Sequence, residues 1–328
     1  MSEKIASDAV LEKTLIFSGT AHRALAEKIA EELGLELSPS VTRKFSNDNF
    51  YVHLGTTVRT KEVFIIQPLS PPCSDNLLEL LLMLDVARTA GANSVHAVIP
   101  YYSYARSDKK DAPRISIAGR LVADLITSAG ATHVITMTLH SPQVHGFFRV
   151  HTDHLTAHSV FIDHLCAKDL RNSVVVAPDI GHAKRAAKLA RSLGLPIAAG
   201  EKLRQTDDSV VIAGIMGDVD HKDVILVDDE IATAGTIVET IKHLQQHHNV
   251  QKITVTGTHG LFTGPAVERL NAIDAIDEIL VTDTVPLPEN RRPQRLKILS
   301  VASIFAEVIR CNVSGRSVGE LFAFWPSQ

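Results

Sequence analysis

Cysteine is scarce in this chain: Cys73, Cys166 and Cys311 are three in 328 residues, far apart and odd in number, with no CxxC pair. That excludes a disulfide framework and a zinc ribbon, and it fits a reducing, cytoplasmic setting. Neither sign of charge dominates. Asp and Glu total 37 against 33 Lys and Arg, a net of −4, which excludes a nucleic-acid coat or an acidic tail. Long apolar runs are missing too. The most apolar stretch, from Leu77 to Val86, is broken by Glu79 and Asp85 and is too short to span a bilayer. The opening MSEKIASDAVLEK carries acids and has no long apolar centre, unlike a secretory signal. Low-complexity tracts are absent. With 45% hydrophobic residues, the chain is expected to fold into one large or two medium domains with a sizeable core.

What is present is an alternation of strand-like and helix-like segments. Strands are predicted at Thr14–Phe17, Val63–Gln67, Val95–Pro100 and Val134–Leu139. Helices are predicted at Ala21–Leu33, Asn76–Ala90 and Ile117–Ala129. The rhythm restarts with strands at Val174–Ala177, Ile197–Gly200, Val224–Val227, Ile253–Thr256 and Ile279–Thr282. Helices are predicted at Ala183–Leu193 and after Thr236, then a strand after Pro293 and a helix from Ala302. Such alternation implies parallel sheets covered by helices, an α/β class. A weak internal repeat supports two copies of one unit. FIIQ leads through SPPCSDN into a helix, and VILV leads through DDEIATAGT into a helix. The boundary is placed near residues 151 to 160, giving domains of 1–155 and 156–328. The last ~15 residues are candidates to return to the first domain.

The most informative segment is VDDEIATAGT, from Val227 to Thr236. Asp228 and Asp229 fall at the carboxyl end of a strand. The small residues Thr233, Ala234, Gly235 and Thr236 then open onto a helix. Such a turn aims N–H groups and hydroxyls at an anion, and the helix dipole favours a phosphate there. Adjacent carboxylates repel unless a cation or a diol uses them. A phosphate cradle beside a diol clamp describes a ribose 5-phosphate site. The plainer alternative makes Thr236 an N-cap with Glu239 as its capping-box partner.

Other strand ends carry candidate chemistry. YYSYARSDKK, from Tyr101 to Lys110, brings cations after a strand and tyrosines able to stack on a base, or else is a solvated loop. His140 in TLHSPQVHGFF and Asp179 in VVVAPDIG end two more strands, where a metal or phosphate fits. EKLRQTDD, from Glu201 to Asp208, is predicted to be a mobile loop carrying Lys202 and Arg204. His151, His154 and His158 are spaced like a helix face, a pattern open to a transition metal. No familiar ligand set completes it, however, apart from Asp153.

From about Lys44 to Leu321 the chain resembles the ribose-phosphate pyrophosphokinase family, the phosphoribosyl pyrophosphate (PRPP) synthetases. The resemblance rests on six motifs in order: KFSNDN, VIPYYSYARSDKK, TLHSPQVHGFF, VVVAPDIG, KLR and VILVDDEIATAGT. It implies two tandem type I phosphoribosyltransferase-like domains with the active site at their interface, and Mg²⁺ as cofactor. ATP would be bound through Phe45, Asn47, Asn49, Arg106, Ser107, Asp108 and His140. Ribose 5-phosphate would be bound through Asp228, Asp229, Ala232, Thr233, Ala234, Gly235 and Thr236. The metal would be held near His140 and Asp179, and Lys202, Arg204 and His140 would be catalytic. The resemblance also implies a homo-oligomer, a hexamer built from dimers, with neither nucleic acid nor membrane as partner.

Several positions depart from the family pattern. Asn47 and Asn49 stand where Asp and Glu are usual, which relaxes the expected preference for adenine. Ser107 replaces Gln, Ala232 replaces Asp and Ala234 replaces Gly. A PRPP-consuming phosphoribosyltransferase and a non-catalytic regulatory subunit are the two alternatives.

Overall fold

The computed structural model describes residues 11–204 and 210–319. In chain order its regular elements begin with β1 (Thr14–Ser18), α1 (Arg23–Leu33), β2 (Ser40–Lys44), β3 (Phe50–Leu54), β4 (Glu62–Ile66), α2 (Cys73–Thr89) and β5 (Ser94–Ile99). Next come α3 (Ala118–Ala129), β6 (His133–Met137), β7 (His151–Leu155), α4 (His158–Leu165), β8 (Ser173–Ala177) and α5 (Ala183–Leu193). Then follow β9 (Ile197–Arg204), β10 (Val210–Met216), β11 (Asp223–Ile231), α6 (Gly235–His248) and β12 (Ile253–Gly260). The series closes with α7 (Ala266–Asn271), β13 (Ile276–Thr282), β14 (Leu296–Leu299) and α8 (Ala302–Ser314).

The chain divides into two compact units. The first takes the described residues up to Thr156, Thr284–Pro286 and the described residues from Val301 onward. The second takes Ala157–Asp283 and Leu287–Ser300. In the first unit five parallel strands run in the order β1-β4-β5-β6-β7, and β2 and β3 form a separate antiparallel hairpin. In the second, seven strands run β10-β9-β8-β11-β12-β13-β14, all parallel except for the antiparallel β9–β10 pair. Strands covered on both faces read as continuous apolar runs, as in VVV of β8 and FII of β4.

The helices pack by one stripe. In α1 the buried residues are Leu25, Ala26, Ile29, Ala30 and Leu33, and Gly34 ends the helix in the left-handed region at φ 71. Each core holds its own cluster, around Phe17, Ile65, Leu80 and Val134 in one and Leu226, Ile241, Val255 and Ile279 in the other. Fully burying one such side chain contributes about 1.5–3 kcal/mol.

Four local expectations change. His151–Leu155 is a strand, not a helix, because it completes the parallel sheet beside β6. Period-2 alternation then puts His151 and Asp153 on one face and His154 on the other, where its Nε2 accepts from Leu139 N at 2.9 Å. His158 starts α4 in the second unit, buried, with its imidazole pushed down to about 4 by burial and by the charges of Arg185 and Lys188. Tyr101 and Tyr102 are core residues, not stacking platforms. The Tyr102 hydroxyl donates to Gly119 O at 2.8 Å, and its ring packs on Phe148. Finally, Glu201–Arg204 continues strand β9 by pairing with β10, where a loop was expected. The rest of that expected loop, residues 205–208, lies outside the described residues.

Candidate active site

The acidic segment of the second unit is built by β11, which runs past Val227 to Ile231 and so carries Asp228 and Asp229 inside its last residues. Asp229 is 2% exposed, and its N–H donates to Asp228 Oδ1 at 2.8 Å. The cation such a pair requires is supplied by the chain. His182 Nε2 lies 3.2 Å from Asp229 Oδ1 and 3.7 Å from Asp228 Oδ1. The other ring nitrogen, Nδ1, lies 2.8 Å from Asp179 Oδ1. Arg185 Nη1 stands 3.6 Å from Asp229 Oδ1. One imidazole therefore ties three carboxylates together.

The charge state follows from this geometry. Burial alone would lower the His182 pKa, but hydrogen bonds to Asp179 and Asp229 outweigh it and hold the ring charged, up to about 10. Burial first, and then the neighbouring charge of Asp229, push the Asp228 carboxyl well above the usual carboxylate range. Asp179 is the residue before a short 3-10 turn, Ile180–His182, and its Oδ1 accepts the His182 N–H at 3.1 Å. His182 and Arg185 were not singled out in the sequence. The available signal was a His three residues after an Asp, at the start of the Ala183–Leu193 helix.

The turn that follows is fixed from below. Thr263 N donates to Ala232 O at 2.9 Å, and Leu261 N and Phe262 N both donate to Ile231 O at 3.0 Å. Arg269 Nη1 donates to Thr233 O at 3.2 Å. Ala234 is the residue before α6 and sits in the left-handed region, at φ 59 and ψ 11. Helix α6 then begins at Gly235, so Thr236 lies in its first turn and is not the N-cap. Glu239 pairs with Lys242 instead of closing a capping box. A left-handed residue at a helix start turns successive N–H groups toward one point, which is an anion cradle.

The first unit holds the other candidates. Phe45 is exposed just past strand β2, its ring 6.0 Å from that of Tyr51. The hairpin tip is closed by Phe45 N donating to Asn49 O at 2.8 Å and by Asn49 N donating to the Asn47 side-chain oxygen at 3.4 Å. Asn47 therefore spends its carbonyl on the turn. Lys44, beside the tip, is held between Asp48 and Asp75. Arg106 ends the 3-10 turn Ser103–Arg106, and Ser107 O accepts from Gly119 N. Asp108 Oδ2 accepts from Ser141 Oγ at 2.5 Å, which links the Arg106 loop to the segment carrying His140. His140 belongs to the first unit and Asp179 to the second. Lys202 and Arg204 lie on β9.

Two α/β units, one carrying an acidic strand end and a left-handed turn opening onto a helix, define a protein of the phosphoribosyltransferase fold class. Residues 155–256 match the phosphoribosyl transferase domain. Residues 14–130 match the N-terminal domain of ribose phosphate pyrophosphokinase, and residues 209–323 match the phosphoribosyl synthetase-associated domain. A ribose-phosphate pyrophosphokinase of Deinococcus radiodurans is 49% identical over 313 residues, covering 94% of this chain and 97% of the relative. One from Wolinella succinogenes is 43% identical over 307 residues, covering 94% and 98%. The crystal structure of phosphoribosylpyrophosphate synthetase from Mycobacterium smegmatis superposes with a TM-score of 0.87 at 34% identity, covering 92% of this chain and 99% of that one. The chain belongs to the ribose-phosphate pyrophosphokinase family.

Proposed function

We infer that this protein is an active ribose-phosphate pyrophosphokinase, an enzyme of the transferase class. The 1-hydroxyl of ribose 5-phosphate attacks the β-phosphorus of ATP. The bond from that phosphorus to the oxygen shared with the α-phosphate breaks, AMP leaves, and the hydroxyl proton passes to solvent. PRPP is the other product. The observation that carries this reading is the buried Asp228–Asp229 pair, held by His182 and followed by the left-handed turn at Ala234.

The roles we assign follow from that chemistry. Asp228 and Asp229 accept hydrogen bonds from the ribose diol. The first-turn N–H groups of α6, with Thr233 and Thr236, hold the 5-phosphate alongside Ala232, Ala234 and Gly235. His182 keeps Asp179 and Asp229 oriented. In the first unit, Phe45 stacks on the base, Asn47 and Asn49 face its edge, and Arg106, Ser107, Asp108 and His140 serve the phosphates. Lys202 and Arg204 meet the charge that spreads over the transferring group, a contribution realised mainly in the transition state. The residues fit Mg²⁺: Asp179, Asp228 and Asp229 offer hard oxygen donors of the kind it takes. The chemistry Mg²⁺ would supply there, when bound with ATP, is neutralisation of the phosphate charge. We take the first unit as the nucleotide-binding domain and the second unit as the ribose-phosphate domain of a cytoplasmic homo-oligomer. Among the described residues no helix is long and apolar enough to cross a membrane.

The test is to incubate the protein with ribose 5-phosphate and Mg²⁺ plus ATP, GTP, CTP or UTP in turn, and to follow nucleoside monophosphate. AMP and PRPP formation is expected, with ATP best and GTP used detectably. A PRPP-consuming phosphoribosyltransferase forms no AMP in this mixture, and a regulatory subunit binds ATP without turnover. Either result overturns the reading.

A further inference from the structure

Away from these residues, the first unit gathers a second group of histidines and acids at the edge of its sheet. Strands β6 and β7 pair in parallel, with His133 opposite His151 and Ile135 opposite Asp153. Neighbours on adjacent strands, and residues two apart on one strand, share a face. His133, His151 and Asp153 are therefore brought together by register alone. His133 Nε2 lies 3.1 Å from Asp153 Oδ2, and His151 Nε2 lies 3.4 Å from Asp153 Oδ1. One donor atom from each of the three residues lies within 4.8 Å of the other two. The His133 and Asp153 side chains are 5% and 4% exposed, whereas His151 is 71% exposed and opens the group to solvent.

We propose that His133, His151 and Asp153 form a binding site for a divalent transition metal ion. The argument is a count of protons. A line of contacts runs from Glu62 to His96 Nε2 (3.3 Å), from His96 Nδ1 to His133 Nδ1 (2.9 Å), and from His133 Nε2 to Asp153 (3.1 Å). Each of the three contacts needs one proton, and two neutral imidazoles carry two. Asn93 and Ser94 also donate to the Glu62 carboxylate, and Ser94 Oγ lies 3.0 Å from His96 Nε2. In the arrangement where His96 donates to Glu62 and His133 donates to His96, His133 Nε2 turns a lone pair toward Asp153. That nitrogen is fully buried and forms no hydrogen bond in spite of the short distance. Two acceptors face each other there, and a cation resolves the conflict.

The donor set selects the ion. Two imidazole nitrogens and one carboxylate, with further positions open to water, suit Zn²⁺, Co²⁺ or Ni²⁺ better than Mg²⁺ or Ca²⁺. Metal–donor bonds of about 2.0–2.2 Å put neighbouring donors roughly 3.3–3.6 Å apart. The 3.4 Å separation of His151 Nε2 from Asp153 Oδ1 falls in that range, the 3.1 Å separation of His133 Nε2 from Oδ2 lies just short of it, and the exposed His151 side chain can adjust to bring the donors around one ion. Outer partners hold the ligands in place. His96 fixes the ring of His133, and Asn312 Nδ2 donates to Asp153 Oδ2 at 3.1 Å.

The test uses the full-length protein stripped with a chelator, then titrated with Co²⁺ in excess Mg²⁺ and without nucleotide. A visible d–d absorption band that saturates at one Co²⁺ per chain is expected. His151→Ala changes an exposed side chain, so folding is preserved, and it should weaken Co²⁺ binding more than tenfold. His96→Phe should weaken binding by about 10–100-fold, the usual effect of removing an outer partner. Asp228→Asn, in the second unit, should leave the band unchanged. Zn²⁺ should raise the melting temperature of the wild type but not of His151→Ala. If the stripped wild type gives no band, the group holds only an extra proton and the proposal fails. It fails equally if His151→Ala keeps the band and Asp228→Asn loses it.

Discussion

The two units share one strand plan and use it differently. Order β1-β4-β5-β6-β7 in the first matches β8-β11-β12-β13-β14 in the second, and each inserts a hairpin between its first and second strands of that series. At the equivalent strand ends the chemistry diverges. In the first unit the turn after β1 is filled by the chain's own carboxylate: Glu79, 1% exposed, accepts from Thr20 N (3.1 Å), Thr20 Oγ1 (2.6 Å) and Gln67 Nε2 (2.6 Å). Gln67 itself, just after β4, accepts from Ala21 N at 3.1 Å. Gly19 permits this, because a Cβ there would collide with the Gln67 amide. In the second unit the acids sit on the strand itself, and a left-handed turn presents helix N–H groups. One copy has satisfied its donors internally. The other ends in an acidic strand and a left-handed turn at the same place in the plan.

The sharpest way to break this comparison is to disable each copy and ask what is lost. In the second unit we expect Asp229→Asn, Lys202→Ala and Arg204→Ala each to lower kcat by about 10²–10³, or roughly 2.7–4 kcal/mol, by analogy with loss of one transition-state contact. For Lys202 and Arg204, KM for ribose 5-phosphate should change little. Steady-state assays of AMP formation decide it, and near-normal turnover in all three would make the acidic strand end structural.

Much of this was legible beforehand because the strand ends announce themselves. Apolar runs such as VVVA and VILV, each followed by an acid, located Asp179, Asp228 and Asp229 at strand ends without any coordinates. The end of α5 at Leu193 followed from Gly194, which adopts φ 66. What stayed hidden depends on contacts between distant segments. His182 becomes significant only when β8 and β11 are neighbours in the sheet. HTDHL carries too few apolar residues to reveal itself as a strand, and only pairing with β6 makes it one. The β2–β3 hairpin was missed because it buries little: of its ten strand residues only Leu54 is buried.

In the first unit the matching change should affect stability first. Glu79→Leu leaves Gln67 Nε2 and the Thr20 donors without their acceptor. Thr20 is exposed and can turn its donors to water, so the cost falls on the buried Gln67 amide, and a loss of about 1–3 kcal/mol in urea unfolding is expected. Glu79→Gln keeps one carbonyl acceptor and should cost about half as much. Equal stability of wild type and Glu79→Leu would mean that water replaces the carboxylate, and the idea of an internally filled site would go.

The units also shift their carboxylates in opposite directions. Asp228 is pushed up, whereas Glu62 in the first unit is held down at about 2, chiefly by its hydrogen bond to His96; burial opposes the shift, and Ser94 and Asn93 reinforce it. A depressed folded pKa contributes stability above the unfolded value of about 4.5 and loses it as pH falls from there through about 2. The contribution at neutral pH is about 2 kcal/mol, after allowance for the partial exposure of Glu62. The stability gap between wild type and Glu62→Gln should therefore be widest near pH 7 and should narrow by pH 3. A gap that is constant with pH would show that Glu62 titrates normally.

The smallest effect expected is at the turn that distinguishes the two copies most directly. The residue before α2 is Pro72, in an extended conformation at φ −77, whereas the residue before α6 is Ala234, at φ 59. A left-handed Cβ crowds the following carbonyl by roughly 1–2 kcal/mol, a cost glycine escapes. Glycine also loses more chain entropy on folding, which returns about 0.4–1 kcal/mol of that gain. The balance favours Ala234→Gly by roughly 0.5–1 kcal/mol, a shift of about 1–4 °C in melting temperature for a unit of this size. Ala234→Val, with a β-branched side chain in the same conformation, should move it the other way by more. The cradle N–H groups stay in place in the glycine variant, so KM for ribose 5-phosphate should change by less than about twofold. If Ala234→Gly lowers the melting temperature while raising that KM, the alanine is what holds the turn in its ligand-ready shape, and the strain belongs to function.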